Sequence, residues 1–177
     1  MKKLLSLIMG TAVMVCSGTD LLTNGNFESP ARPNGSIPGE WKISNGSIVA
    51  GSKGNCVEII PDMKNGDLMR ATLTGRVRKF TPGKKYMLSG ICSNAHALWI
   101  VAQFDWTNKK IKPASAWIGK KKFHDCDDES EWKSFSTVIS VPENAENFIL
   151  IIEPMVLAKN GSGQKVLIDE LKLEALD

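Results

Sequence analysis

Several residue types are scarce in this chain. Its 177 residues include one tyrosine and two histidines, and no long hydrophobic run occurs beyond the N-terminal segment. Two histidines leave little material for general acid–base chemistry, in which histidine is the commonest participant. Lys and Arg outnumber Asp and Glu by only 22 to 19. So small a basic excess argues against a general polyanion or nucleic-acid binder.

The first residues predict export. Residues 1–18 contain two early lysines, an apolar run over positions 4–15, and small residues at the end. This order is typical of a secretory signal peptide. The run is shorter than the roughly 20 residues that a membrane-spanning helix needs. Cleavage would remove both lysines and no acidic residue, so the net charge of +3 would fall to +1 in a mature domain of residues 19–177. We therefore expect a secreted, extracellular or periplasmic protein without a stable membrane span.

Cys16 leaves a second processing route open. A lipoprotein would be cleaved before this cysteine and acylated on it. Met14 and Val15 precede Cys16, where such signals usually have small residues. Lipid anchoring is therefore the less favoured alternative.

The remaining cysteines do not predict a disulfide scaffold. Cys56, Cys92 and Cys126 are an odd number, so in an oxidising compartment at least one stays free or pairs with another chain. Cys56 and Cys92 lie within apolar strand patterns, where a buried cysteine acts as a small hydrophobe.

Turn signals and short apolar runs alternate along the chain. Asn-Gly occurs five times, and both residues tolerate positive φ. No segment keeps a helical period for three turns. Strand patterns cover residues 47–50, 56–60, 86–92, 97–106, 135–141, 148–152 and 166–173. Many short strands joined by polar turns predict a single all-β domain, a sandwich or a barrel.

The alternation within these runs predicts which side chains face the core. Side chains alternate across a strand, so one apolar set points inward and the intervening set outward. The expected core sets are Leu98, Ile100, Ala102 and Phe104, then Phe135, Thr137, Ile139 and Val141, then Phe148, Leu150 and Ile152. Trp106 is grouped with the first set. Ile149 and Ile151 are apolar too and make the third strand ambiguous.

Five segments, in this order, resemble a known family. They are LLTNGNFESP, PGEW, FTPGKKYMLSGICSN, EWKSFSTVISVPENAENFILII and VLIDELKLE. Together, over residues 20–176, they resemble carbohydrate-binding modules of the xylan- and β-glucan-binding jelly-roll group, which are galactose-binding-domain-like β-sandwiches. The resemblance implies a jelly-roll fold and non-catalytic recognition of a polysaccharide or oligosaccharide on a concave sheet face. It also implies a possible exported glycanase partner, since such modules often lie beside glycanase domains.

The resemblance further implies a structural Ca²⁺ where the first and last strands meet. The residues carried over are Glu28 and Asp169 as carboxylate ligands, with backbone carbonyls near Asn26 and in loop 53–55. Calcium takes six to eight oxygen ligands and accepts this mixture. The alternative is that Glu28 is a surface carboxylate and Asp169 a capped turn residue.

Sugar rings stack on flat aromatic side chains, while amide and charged groups bond their hydroxyls. Trp99 and Gln103 lie four residues apart on the mixed face of one strand and are the first candidates. Trp117 follows a polar loop and could border the same groove. Arg76 and Arg78, which alternate with Val77, are candidate donors to sugar hydroxyls, and Glu58 is the other charged candidate. For each, packing under a loop or a solvated position is the alternative.

Other notable residues are assigned to structure. Trp41 and Trp132 match positions that usually pack in the resembled family, and Tyr86 is expected in the core. The lysines at 120–122 and the acidic stretch that begins at His124 are interpreted as solvated loops.

No nucleophile elbow, metalloprotease helix or phosphate-binding glycine loop is present. We therefore expect a binding protein and not an enzyme. An extracellular protein-interaction or adhesion domain on the same fold is the main alternative. A small glycan-active enzyme is the less favoured one. Paired catalytic carboxylates cannot be recognised from sequence spacing, and nothing in the sequence singles out such a pair.

Overall fold

The computed structural model describes residues 19–51, 54–64, 67–69, 71–105, 114–122, 131–156 and 164–176; for residues 62–64, 67–69, 105 and 114–122 the description extends to the backbone only. Twelve β-strands are formed within these ranges: β1 Lys42–Ile43, β2 Gly46–Ala50, β3 Asn55–Ile59, β4 Asp62–Lys64, β5 Asp67–Met69, β6 Leu73–Val77, β7 Lys85–Ser93, β8 Ala97–Asp105, β9 Ala114–Lys122, β10 Lys133–Ser140, β11 Asn147–Met155 and β12 Val166–Leu176. Among the described residues, no helix has the length and hydrophobicity that crossing a membrane requires.

Ten of the strands form two five-stranded sheets. Sheet 1 has the order β1-β6-β11-β8-β9, and sheet 2 has the order β10-β7-β12-β3-β2. β4 and β5 form a separate hairpin. All of these neighbours pair antiparallel. Neighbours in the sheets are mostly distant in the chain, so the sheets are interleaved along the sequence.

The core lies between the two sheets and follows the predicted alternation. The inward residues of β8 (Leu98, Ile100, Ala102 and Phe104) and of β11 (Phe148, Leu150 and Ile152) are at most 1% exposed. In β10 the prediction holds for Phe135 and Ile139, whereas Thr137 is only partly buried. In residues 148–152, the even positions therefore face the core and the odd positions face outward.

The seven predicted strands all form, but five others were not predicted. β6 was missed because its sequence, LTGRV, contains a glycine and an arginine. β9 was missed because ASAWIGKKK has no alternating apolar pattern. The lysines at 120–122, interpreted as a solvated loop, are the last residues of β9, so that interpretation was wrong for the backbone.

The N-terminal segment joins the last strand. Leu21 N–H donates to the Leu173 carbonyl at 2.9 Å, and Leu171 N–H donates to the Gly25 carbonyl at 2.9 Å. Only glycine fits at position 25, because a Cβ there would overlap the Leu171 carbonyl oxygen. β12 contains a bulge between Asp169 and Lys172 that interrupts its regular pairing beside this contact. The two ends of the described chain therefore meet at β12, the central strand of sheet 2.

Trp41 is a core residue, as predicted. It is 3% exposed, its ring meets Phe27 edge to face with centroids 5.5 Å apart, and its Nε1–H donates to the Thr23 carbonyl at 2.9 Å. A Cβ at Gly75 would overlap the indole ring, so the glycine makes room for it. Trp132 differs from the prediction, since it is partly exposed and lies outside the core cluster.

Tyr86 is buried as expected, and its hydroxyl accepts a hydrogen bond from Thr81 N–H at 2.6 Å. Cys56 and Cys92 are both buried. Residues 1–18 with Cys16, the Trp106 position, the stretch containing His124 and Cys126, and the Asn-Gly pairs at 65 and 160 lie outside the described residues.

Candidate functional site

The outer face of sheet 1 carries a strip of apolar side chains. Its members, which we call the apolar strip, are Trp99 and Val101 in β8 and Ile149 and Ile151 in β11, and all four are partly exposed. Ile151 lies directly opposite Val101, and Ile149 lies directly opposite Gln103. Directly opposite side chains on antiparallel strands share a face, with Cβ atoms about 5 Å apart. The strip therefore covers the two central strands of the sheet.

Polar groups flank the apolar strip. On one side, Arg76 and Thr74 of β6 lie opposite the two isoleucines of the strip. On the β8 side, the Gln103 amide lies in the same row as Arg76, about 10 Å from it across two strand spacings. Glu153 lies opposite Trp99. An apolar platform with polar groups at its borders is the arrangement typical of small-molecule and sugar sites.

A groove borders the strip on the β6 side. Its volume is about 770 Å³, and it is lined by residues 34–37 and 40–43 of the preceding loop and strand together with Thr74, Arg76 and Ile149. Ligand sites commonly have volumes of about 300–1,000 Å³. The loop thus forms a wall above the sheet, and the sheet surface forms the floor.

A second depression, of about 480 Å³, adjoins the groove. The two share Ser36, Ile37, Glu40 and Arg76. The second depression adds Arg32, Arg78 and Lys79 among its lining residues. Because the shared residues include Glu40 and Arg76, the groove and the depression form one continuous surface, which we call the loop groove.

Arg78, a predicted ligand-binding residue, lies at this edge and is held in an ion pair. Its Nε donates to Glu40 Oε1 at 2.9 Å, and its guanidinium also bonds the same oxygen through a second nitrogen. Both side chains are largely exposed. The hydrogen bond from Arg78 lowers the pKa of the Glu40 carboxyl, and the charges of Arg76 and Lys42 act in the same direction.

The structure brings Trp99 and Gln103 together on one face, as expected from their spacing. The backbone of Trp117 lies next to them, because β9 pairs with β8 and places Trp117 opposite Val101. The Trp117 side chain is outside the described part of the structure. Three of the predicted ligand-binding residues therefore lie on adjacent strands of sheet 1.

Glu58 is separated from the others. It lies in β3 of sheet 2, on the outer face, where its carboxylate is 3.0 Å from Lys165 Nζ. Its strand neighbour Cys56 has a raised pKa because of burial and the charges of Asp169 and Glu58. The core of the sandwich lies between Glu58 and the apolar strip, so the two cannot contact the same ligand molecule at one site.

The residues predicted as calcium ligands also converge in part. Glu28 Oε1 accepts a hydrogen bond from Asn55 N–H at 2.9 Å. Gly54 has a φ of +144°, and a Cβ there would overlap the Glu28 carboxylate, so the glycine permits this approach. Burial raises the pKa of the Asp169 carboxyl, and the nearby charges of Glu170 and Glu28 raise it further.

Two carboxylates that repel each other across a junction of loops suit a cation with oxygen ligands. No group of three or more His, Cys, Asp and Glu side chains converges within the described ranges. The remaining calcium ligands would therefore be carbonyl oxygens, as expected, and the exposed Asn26 lies on the same segment as Glu28. Among the described residues, Glu28 and Asp169 are the carboxylates that would hold such an ion.

Sequence reasoning missed the loop wall and the β6 floor. Residues 34–37 were interpreted as a turn and Trp41 as core, and no pattern indicated that the intervening segment would fold back over sheet 1. One signal was available in FILIIE, where Ile149 and Ile151 make both faces of β11 apolar. An apolar outward face on a strand indicates a covered or binding surface.

Comparisons with known proteins identify the fold. No family model matches the sequence, and no curated protein does. The structure of the Clostridium thermocellum xylanase 10B CBM22-1–GH10 modules with xylohexaose superposes with a TM-score of 0.62 at 12% identity, over 89% of this chain and 28% of that one. This chain thus spans little more than a quarter of that structure.

Two structures of similar size also match. The CBM22-1 xylan-binding domain of Paenibacillus barcinonensis Xyn10C gives a TM-score of 0.59 at 11% identity, covering 90% of this chain and 96% of that one. TmCBM61 in complex with β-1,4-galactotriose gives 0.52 at 15% identity, covering 89% and 99%.

Likeness at such low identity establishes the fold alone. The described strands form an all-β jelly-roll sandwich of the galactose-binding-like type, as predicted. Its structural neighbours are carbohydrate-binding modules, including those of the xylan-binding group that the sequence resembles.

Proposed function

We propose that this protein is an exported, non-catalytic carbohydrate-binding protein that holds a polysaccharide or oligosaccharide on the outer face of sheet 1. The observation that carries the proposal is the placement of Trp99 and Gln103, both partly exposed residues, on one outward strand face of a sheet whose β6 side borders a groove of about 770 Å³. Trp99 offers a flat surface for a sugar ring, and Gln103 can both donate to and accept from hydroxyls. Arg78 extends the surface on the β6 side, and Trp117, whose backbone lies opposite Val101, is a further candidate on the β9 side.

The neighbours lend support through their ligands. One was determined with xylohexaose and another with β-1,4-galactotriose. A linear sugar chain lying across the sheet would contact several side chains in succession. We further propose that Ca²⁺ joins Glu28 to Asp169 as a structural ion, and that a glycanase exported with this protein is its functional partner.

A second candidate function is protein binding or adhesion. Three of the four members of the apolar strip are aliphatic, and Trp99 is the one aromatic residue in it. An aliphatic surface suits the side chains of a protein partner as well as a sugar face. The two functions differ in their response to purified glycans, which makes them separable.

The test is a binding screen of the folded protein against soluble and insoluble polysaccharides, with Trp99→Ala measured in parallel. Because the indole supplies the stacking surface, we expect Trp99→Ala to weaken binding by about tenfold or more. Val138→Ala is the matched control, since Val138 is 44% exposed on the outer face of sheet 2. It should bind as the wild type does.

Equal retention of both variants would move the site away from sheet 1. If the folded wild type binds no glycan at all, carbohydrate binding is wrong and the protein-interaction function takes its place.

A further inference from the structure

The loop groove concentrates positive charge. Its basic residues are Arg32, Lys42, Arg76, Arg78 and Lys79, and its acidic residues are Asp20 and Glu40. Five basic and two acidic residues give a local charge of +3, which equals the net charge of the whole chain. In the mature domain of residues 19–177, whose expected net charge is +1, the charges outside the groove sum to −2, so the positive charge is concentrated at one place on the surface.

Both carboxylates in the loop groove already have partners. The Glu40 carboxylate is bonded by Arg78. Asp20 Oδ1 accepts hydrogen bonds from Leu22 N–H at 2.9 Å and Leu173 N–H at 3.0 Å. Neither carboxylate forms an ion pair with Arg76. Among the described residues, no other acidic side chain forms an ion pair with Arg76 either. Arg76 is thus an exposed cation in the groove without a direct counter-ion among those residues.

Arg76 is also placed where a bound chain would pass. It lies in the middle of β6, lines both parts of the loop groove, and shares a row across sheet 1 with Ile149 and Gln103. Lys42 adds a second positive charge nearby, opposite Thr74 of the same strand. A ligand resting on the apolar strip would extend directly into this basic end.

The guanidinium group is suited to one class of substituent. Its planar fork donates two parallel hydrogen bonds to a group with paired oxygens, such as a carboxylate or a sulfate. A neutral sugar hydroxyl accepts only one such hydrogen bond and carries no negative charge with which the guanidinium could form an ion pair.

We propose that the loop groove selects anionic glycans, and that Arg76 binds a uronate carboxylate or a sulfate ester on a sugar chain seated across sheet 1. This inference rests on the proposed carbohydrate-binding function and names the substrate class of the same site. The anionic group lies at the β6 side of the chain, and the neutral rings lie over Trp99 and the apolar strip.

The experiment compares each glycan with its own uncharged form. The probes are polygalacturonate and glucuronoxylan before and after reduction of their carboxyl groups, and a carrageenan before and after desulfation. We expect the charged forms to bind more tightly by up to about fivefold, the upper limit for an exposed ion pair. This difference should shrink as salt rises from 0.05 to about 0.5 M, because exposed charges are screened.

Variants assign the effect to Arg76. Arg76→Gln should bind the charged and uncharged forms equally, and Arg76→Lys should retain part of the preference, because lysine keeps the charge but not the fork. Lys172→Gln is the matched control, since Lys172 is an exposed cation on the outer face of sheet 2. It should leave the preference unchanged.

The outcomes separate the two proposals. Equal binding of charged and uncharged forms by the wild type overturns the anionic preference while carbohydrate binding stands. A preference that survives in Arg76→Gln overturns the assignment to Arg76. Binding to no probe overturns both. Preference for carboxylate over sulfate, or the reverse, identifies which anionic group the groove takes.

Discussion

The two outer faces of the sandwich are built from strands of similar length but differ in chemistry. The outer face of sheet 1 presents the apolar strip, and the loop of residues 34–43 rises along one side of it. The outer face of sheet 2 mixes polar side chains, such as Ser89 and Lys172, with apolar ones, such as Met87 and the exposed Val138, which lie directly opposite each other. A depression on the outer face of sheet 2 has a volume of about 350 Å³, less than half that of the groove on sheet 1.

The difference shows how one fold separates stability from recognition. Both sheets bury their inward residues in a shared core, so either outer face could carry a site without loss of the fold. Within the described ranges, only sheet 1 combines a wall, an apolar floor and a local excess of positive charge. The mixed outer face of sheet 2 is that of an ordinary solvated sheet.

The largest effect is expected where the wall meets the core. Trp41→Ala removes the ring that packs on Phe27 and Gly75 and also the anchor of the loop on the Thr23 carbonyl. Loss of a buried tryptophan costs about 3–5 kcal/mol of unfolding free energy. Urea unfolding monitored by circular dichroism measures it.

Trp132→Ala is the control for Trp41→Ala, because Trp132 is partly exposed and outside the core cluster. It should cost clearly less. Equal losses in the two variants would mean that the loop wall is not anchored through Trp41.

An effect of intermediate size is expected at the junction of Glu28 and Asp169. Without Ca²⁺, Asp169→Asn should not destabilise the protein, since burial and the neighbouring carboxylates already raise the pKa of Asp169. An acid with a raised pKa makes the fold less stable as pH rises from its unfolded value through its folded value. The variant should lack this decline in melting temperature, as measured by calorimetry against pH.

When Ca²⁺ is added, the wild type should become more stable than Asp169→Asn. If the ion binds at this junction, it stabilises the wild type by about 2.7 kcal/mol at a concentration of 100 times its Kd. Asp169→Asn should lose most of that gain, while Glu58→Gln, which removes a carboxylate from a nearby strand, should retain it. If the melting temperature of the wild type does not rise when Ca²⁺ is added, the proposed ion is contradicted.

Much of the fold could be predicted from local patterns. The alternation in 97–106 correctly assigned Leu98 and Phe104 to the core, and the same rule placed Trp99 and Gln103 together on the opposite face. β6 and β9 were not predicted, because pairing within a sheet, and not their own composition, makes them strands. A glycine, an arginine or a lysine run is tolerated in a strand when its neighbours supply the hydrogen bonds.

The site was harder to predict because it depends on which strands become neighbours. Glu58 and Trp99 have similar settings in the sequence, each flanked by apolar residues, yet the interleaved strand order places them on opposite sheets. The groove wall depends on a loop that folds back and is anchored by the Trp41 indole, by the Glu40–Arg78 ion pair and by packing of Ile37 against the core. Local periodicity carries no information about either arrangement.

The smallest effect is expected at the ion pair in the wall. Glu40→Gln should hardly change the melting temperature, because both partners are exposed to solvent. The lowered pKa of Glu40 means that the pair stabilises the fold above the unfolded pKa of the carboxyl and loses this contribution as pH falls through the folded pKa. On acidification, the wild type should lose a little stability between those two pKa values, and Glu40→Gln should not show this loss.

Binding should respond more clearly than stability to Glu40→Gln. The variant releases Arg78 and removes a negative charge from the loop groove, so polygalacturonate should bind about twofold more tightly, while its carboxyl-reduced form should bind as before. Glu58→Gln removes the same charge from sheet 2 and should change neither affinity. If both variants strengthen binding equally, the glycan responds to the net charge of the protein and not to the groove, and the contrast between the two faces would then lie in shape alone.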